Sequence, residues 1–431
     1  CYADFASMIP VAGSASPFTY TTVGEIVAWV IGWDLILEML MAGSVISKYW
    51  GVYLNDFMRL MGWNANTNLT FGSFHIDIAP IIIVAFFTTL LVFGTKIGAR
   101  VDGAMTVLKI AIVFFVVIVG FFYVKASNFT PFIPPSQPAS TVEGSSAVTG
   151  VMPQPLWQFA TGMTPSVYGV PGILSGAALV FFAFIGFDVV ATASEETKNP
   201  HKNVPLGIGV GMLLIIVMYM LVAVVTTGMV SYADLAKQDS PSLATAFELV
   251  GADWAAKIIS FGIVLGLATV VMVLLLGLTR IVFAMSRDGL LPRGLSKTGK
   301  HGTPAALQIV VGAVVALVAA FFDIGVLSDM VNIGTLSAFT LVAISIPIMR
   351  KKRPDLPRAF KMPGSPWIPI LIAVANFWLM LNLSVLTWIR FVVWLVVGFA
   401  IYFGYGYWHA RLGKGDLTET LSAETDKAVN G

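Results

Sequence analysis

The sequence predicts an all-α membrane protein, and three observations carry that reading. Of its 431 residues, 57% are hydrophobic and 11% are charged, with a mean hydropathy of +0.86. Soluble domains carry about 25% charged residues. Apolar runs recur along the chain at lengths close to the roughly 20 residues that a helix needs to cross a bilayer. Basic residues are spread unevenly between the connecting segments, which is how topology is written into a membrane sequence.

Taken in order, the first nine residues, CYADFASMI, are too short to cross. They are expected to be the tail of a helix whose start is missing, so the chain is expected to be a fragment. Spans then fall near 23–47, 78–95, 103–124, 171–194, 204–230, 256–285, 304–322, 326–349, 366–386 and 389–409. Together they form one transmembrane domain, 1–409, followed by a polar tail, 410–431. Lipid-facing helices are apolar all round, so periodicity says little and length and punctuation decide. Pro171, Pro205, Pro304 and Pro366 are placed at helix starts, where a missing N–H costs least. The loop 125–170 is rich in Pro, Ser and Gly and has no strong helix signal. Residues 240–250, SPSLATAFELV, are expected to form a short surface helix, with Ser240 as N-cap and Pro241 in the first position.

Orientation follows from the lysines and arginines. With the end of the stub inside, seventeen fall in inside segments and six in outside segments. The segments 48–77, 125–170 and 231–255 are therefore expected outside, and the C-terminus in the cytoplasm. A multi-pass protein of the plasma (cytoplasmic) membrane is the expected setting.

The composition also narrows the chemistry. The one cysteine, Cys1, excludes an internal disulfide and a Cys-rich metal site. His75, His201, His301 and His409 all lie in expected loops or at helix ends, so a histidine relay is not expected. The net charge of +2 gives no argument for nucleic acid. No cofactor or metal is expected, and no Ser/His or Cys/His constellation suggests an enzyme. A channel would show a repeated filter or charge ring, and none is visible.

Three stretches carry candidate chemistry. In FFAFIGFDVVATASEETKNP (181–200), Gly186 and Asp188 interrupt an apolar run. A backbone group freed at membrane depth costs several kcal/mol unless protein, water or ligand meets it. Transporters use such breaks as binding sites. Carbonyls freed at Phe182, Ala183 and Ile185 would suit an ammonium group, and Phe184 and Phe187 could close a cavity there. Asp188 would sit in the first turn of a second half-helix, where the dipole favours an anion. The alternative is a helix that ends early, with Gly186 a packing residue. Lys109, in AMTVLKIAIVFFVV, is either a coupling cation within the bundle or a lysine that snorkels to the headgroups. Asp34 and Glu38, in GWDLILEM, share a helix face at i, i+4. They line a pathway, pair with Lys109 or Arg280, or tie helices together. Arg280 itself, and RKKRPDLPRAFKMPG at 350–364, are expected to act as inner anchors and topology signals.

These stretches together resemble the cationic amino acid transporter branch of the amino acid–polyamine–organocation superfamily. The resemblance rests on CYADFASMIPVAGS, GWDLILE, FFAFIGFDVVATASEETKNP with NVPLGI, RIVFAMSRDGLLP and RPDLPRAFKMPG, in the family's order. It implies a LeuT-like bundle of two inverted five-helix repeats followed by two more helices, here lacking the first helix and most of the second. It implies that 171–194 is a broken substrate-binding helix, with the substrate amino group at the Phe182, Ala183 and Ile185 carbonyls beside Gly186 and Phe187. It implies that Lys109 replaces a bound sodium ion and takes part in proton coupling. Val273 and Leu274 are expected among the walls of the side-chain pocket. The expected activity is secondary amino acid transport by alternating access, with protons as partners in a lipid bilayer. The rival within the class is an amino acid or polyamine exchanger without net proton flow. SASPFTY and the long 125–170 loop depart from the family pattern.

Overall fold

The computed structural model describes residues 4, 25–63, 67–71, 74–94, 99–139, 151–186, 199–238, 241–297, 299, 303–352 and 362–410. Its helices, in chain order, are α1 (Glu25–Leu60), α2 (Ile78–Val92), α3 (Ala99–Phe121), α4 (Leu156–Thr161), α5 (Gly169–Val180), α6 (Pro200–Met229), α7 (Tyr232–Ala236), α8 (Leu243–Leu249), α9 (Asp253–Arg287), α10 (Ala305–Phe321), α11 (Ile324–Lys352), α12 (Trp367–Leu381), α13 (Val385–Ile401) and α14 (Tyr407–His409). A π-helical turn, Tyr402–Gly406, joins the last two. Two small antiparallel ladders pair β1 (Asn68–Phe71) with β2 (Phe74–Asp77) and β3 (Gln137–Pro138) with β4 (Ser166–Val167). Among the described residues, six helices are long and apolar enough to cross a membrane, and four shorter apolar helices accompany them. The protein is an all-α membrane protein.

Helix α1 lies at the centre, packed along its length against α9 and α11. Helices in a membrane approach closely where small residues line the contact. A Cβ built on Gly43 of α1 would touch Val315 of α10 at 3.6 Å and Leu274 of α9 at 3.9 Å. Gly334 of α11 faces Leu37 of α1 in the same way. Helices α3 and α6 lie at the periphery. Val107, Phe114 and Ile118 on α3, and Leu206, Val210 and Leu213 on α6, are exposed. Apolar surface of that kind suits lipid rather than water.

Helix α13 closes one flank of α1 through tryptophans. The Trp33 indole N–H donates to the Trp394 carbonyl at 2.9 Å, and their rings stack with centroids 4.4 Å apart. Gly398 leaves the space that the Trp33 indole fills, and a Cβ there would collide with it.

Several elements differ from expectation. Helix α1 continues to Leu60, well past the apolar run 23–47, because its polar C-terminal end is held by partners in the distant segment 242–248. Arg59 donates to both oxygens of Glu248 at 2.9 and 2.8 Å, and Ser242 Oγ donates to Asp56 at 3.0 Å. The surface helix there, α8, starts at Leu243 rather than Pro241. Its N-cap is Ser242, which forms a capping box with Thr245; that reciprocal pair satisfies two orphan donors and outweighs the proline. Ser240 lies outside the described residues. Helix α6 starts at Pro200, which takes the first-turn role expected of Pro205 and leaves Pro205 inside the helix. The loop 125–170 contains α4, anchored where the Leu156 N–H donates to the Leu383 carbonyl at 3.0 Å. That long-range contact carries no local sequence signal.

Of the first nine residues, Asp4 is described, and it is fully buried. Arg350 donates to its carboxylate, as does the Met362 N–H at 2.8 Å. Arg350 is thus part of a buried contact as well as an element of the basic last turn of α11.

Candidate functional site

The site is built from the end of α5 upward. Helix α5 ends at Val180, and FFAF, Phe181–Phe184, continues as a tighter 3₁₀ turn. Ile185 is extended, and Gly186 has φ of 110°. Residues with a Cβ rarely adopt that conformation, and glycine does so without strain. The α-helical pattern therefore gives way at Phe181, five residues before the glycine that interrupts the apolar run. Phe187 and Asp188 lie outside the described residues.

The carbonyls at this turn have particular partners. The Phe182 carbonyl accepts from the Ile185 N–H at 3.1 Å, which closes the 3₁₀ turn. The Ala183 carbonyl accepts from the Tyr219 hydroxyl of α6 at 2.6 Å. One turn earlier, the Leu179 carbonyl accepts from Asn332 Nδ2 of α11 at 3.1 Å. Phe182 and Ile185 pack against the central core, while Phe184 meets the Tyr219 ring edge-on at 5.2 Å. The segment is pinned by side chains from two neighbouring helices.

Lys109 lies ten residues into α3, about 15 Å along its axis. Its stem crosses α9 at Gly266, where an added Cβ would stand 3.2 Å from Lys109 Cγ. Four residues earlier on α9, Gly262 accommodates Ile112. Two glycines one turn apart thus let α3 close onto α9 at the level of the lysine.

Asp34 and Glu38 are both fully buried on α1. Ser337 Oγ of α11 donates to Asp34 Oδ2 at 2.7 Å. Of the partners open to Asp34, the structure supplies a hydroxyl from α11 and so an inter-helix tie. Leu274 is buried against Gly43 of α1, while Val273 beside it is half-buried.

A cavity of about 570 Å³ lies beside α5, with Tyr168, Ser175, Leu179 and Asp329 among its lining residues. Along α5 the lining stops at Leu179, short of the Phe182–Ile185 carbonyls. Asp329 is held by the Thr387 hydroxyl at 3.0 Å.

Tyr219, Asn332 and Asp329 were not legible as site neighbours. Asn332 carries a faint signal, an amide within a span that has to be buried in lipid or protein, because buried amides seek partners. Tyr219 sits in LLIIVMYMLVAVV, where its hydroxyl is the exception, but its partner is 36 residues away in sequence.

Comparisons with known proteins bear on the whole chain. A family model described as amino acid permease matches residues 1–406. A branched-chain amino acid permease of Bacillus subtilis (strain 168) is 41% identical over 96% of this chain and 83% of its own length. A methylthioribose transporter of the same organism is 37% identical over 96% of this chain and 84% of its own length. A mitochondrial cationic amino acid transporter of Arabidopsis thaliana is 36% identical over 81% of this chain and 54% of its own length. All are permeases or transporters rather than enzymes. The near-complete family match and the apolar helices agree: this chain is a multi-pass membrane protein that belongs to the amino acid permease family.

Proposed function

We propose that this chain is the core of a proton-coupled amino acid transporter that works by alternating access in the cytoplasmic membrane, with its C-terminus inside. The observation that carries the reading is the end of the α-helical pattern of α5 at Val180, followed by a 3₁₀ turn and by Gly186 at φ of 110°. A helix interrupted in a bilayer is tolerated only beside protein, water or ligand, and half-helix ends are the recurrent substrate sites of LeuT-like folds. The substrate ammonium is assigned to the carbonyls of Phe182, Ala183 and Ile185, with Gly186 supplying the turn and Phe187 closing it. Backbone carbonyls accept an ammonium without burying a full negative charge.

Proton coupling is assigned to Lys109. A lysine held across α9 at Gly266 can gain and lose one proton per cycle, and so bias the inward and outward states. Asp34 ties α1 to α11 through Ser337 beside that path, and Glu38 is assigned to the same helix face. The relatives are named for branched-chain and cationic amino acids and for methylthioribose. The 41% identity to a branched-chain amino acid permease favours the aliphatic class, with leucine as the type substrate and Val273 assigned to the pocket wall. Uptake of radiolabelled leucine and arginine into proteoliposomes, with and without an inward proton gradient, tests the reading. Gradient-driven leucine accumulation supports it, and gradient-independent equilibration contradicts the coupling.

A further inference from the structure

We propose that Tyr219 stands in for the substrate ammonium when the site is empty, and so permits the unloaded carrier to change state. The inference rests on the reading that the carbonyls of the break receive the ammonium. Its own observation is the 2.6 Å bond from the Tyr219 hydroxyl to the Ala183 carbonyl. Tyr219 belongs to α6, a different helix, and its ring also meets Phe184 at 5.2 Å. One side chain therefore satisfies the carbonyl and braces the turn that exposes it.

The chemistry sets the order of events. A carbonyl freed at membrane depth needs a donor. With no substrate present, the phenol supplies one. An ammonium is a charged donor, and charge-assisted hydrogen bonds are roughly twice as strong as neutral ones. An arriving amino acid therefore displaces the hydroxyl from Ala183. Displacement frees the turn from α6, so loading and the α5–α6 contact are linked. On release of the substrate inside, the hydroxyl returns and the empty break is again satisfied. Without it, the empty carrier holds an uncapped carbonyl through the return step.

Tyr219→Phe removes the hydroxyl and keeps the ring that packs on Phe184. Substrate no longer competes with the phenol, so the half-saturating concentration is expected to fall about fivefold, the scale of one lost hydrogen bond. Net uptake, which needs empty return, is expected to fall at least about threefold relative to exchange of internal for external substrate, which does not need it. Tyr219→Gln, which keeps a donor, is expected to recover net uptake. The assay uses the full chain in proteoliposomes with radiolabelled leucine, or arginine where that is the amino acid carried. An unchanged half-saturating concentration together with an unchanged ratio of net uptake to exchange overturns the inference. Thermal unfolding in detergent reports whether the Phe variant folds. Where it does not, Tyr219→Gln against Tyr219→Leu reads the same donor contrast. The 2-oxo analogue of the amino acid, which lacks the ammonium, separates the two levels of the argument. If it competes as well as the amino acid in the unaltered chain, the ammonium reading itself is wrong. If it does not compete and Tyr219→Phe changes nothing, only the stand-in role is wrong.

Discussion

The side chain of Lys109 lies across Gly266 of α9: a Cβ added to that glycine would stand 3.2 Å from Lys109 Cγ and 3.7 Å from its Cε. The hydrocarbon stem is thereby laid along a neighbouring helix by the absence of one methyl group. Close helix approach at small residues is common in membranes. Here it fixes the position of an ionisable group as well as the packing distance.

Lys109→Ala should abolish accumulation driven by a pH gradient and leave substrate binding within about threefold, because the lysine is assigned to coupling and not to substrate contact. Binding measured by calorimetry in detergent and accumulation measured in proteoliposomes give the two halves of this outcome. Unchanged accumulation with an unchanged pH dependence would leave Lys109 only a snorkelling role.

Gly266→Val should reproduce much of that loss without touching the lysine. The added carbons compete for the space of the Lys109 stem, and overpacking of this kind costs about 1–3 kcal/mol. If the two residues act together, the double variant with Lys109→Ala should couple no worse than Lys109→Ala alone. Additive losses in gradient-driven uptake would show that Gly266 acts elsewhere.

Gly186→Val should cut transport more than it cuts folding. Among the described residues an added Cβ would meet no atom within 4 Å. The difficulty is φ of 110°, a strained conformation for a residue with a side chain at about 1–3 kcal/mol. Initial rates of uptake compared with the thermal midpoint would check the balance. Equal losses in both would make Gly186 a folding residue only.

Gly398→Ala should destabilise the protein outright, by about 1–3 kcal/mol, because its methyl group would enter the Trp33 indole. Trp33→Phe should cost about 1 kcal/mol through the lost N–H donor to the Trp394 carbonyl. Thermal unfolding monitored by tryptophan fluorescence would show both, and a neutral Gly398→Ala would mean that α1 and α13 pack less tightly than the structure indicates.

The membrane class and the turn at Gly186 were legible in the sequence because they rest on length, composition and one glycine. The place where the helix gives way was less so. Gly186 marks where the chain turns, but the α pattern ends at Phe181 through bonds to Tyr219 and Asn332, which are distant in sequence. The end of α1 was misjudged for a similar reason. Asp56 and Arg59 lie beyond the apolar run that ends at residue 47, yet their partners Ser242 and Glu248 keep them helical. The Ser242 cap was missed because Pro241 gave the louder local signal. Lys109 announced itself as a charge in an apolar run, while Gly266, which positions it, was one glycine among 40.

The most direct test of the central claim is the uptake of radiolabelled leucine by proteoliposomes carrying the full chain under an inward proton gradient, alongside the Lys109→Ala chain. The account predicts accumulation above the external concentration, its collapse when a protonophore dissipates the gradient, and no accumulation by the Lys109→Ala chain even though it still binds the amino acid. Accumulation that survives the protonophore, or that the Lys109→Ala chain sustains, would contradict it.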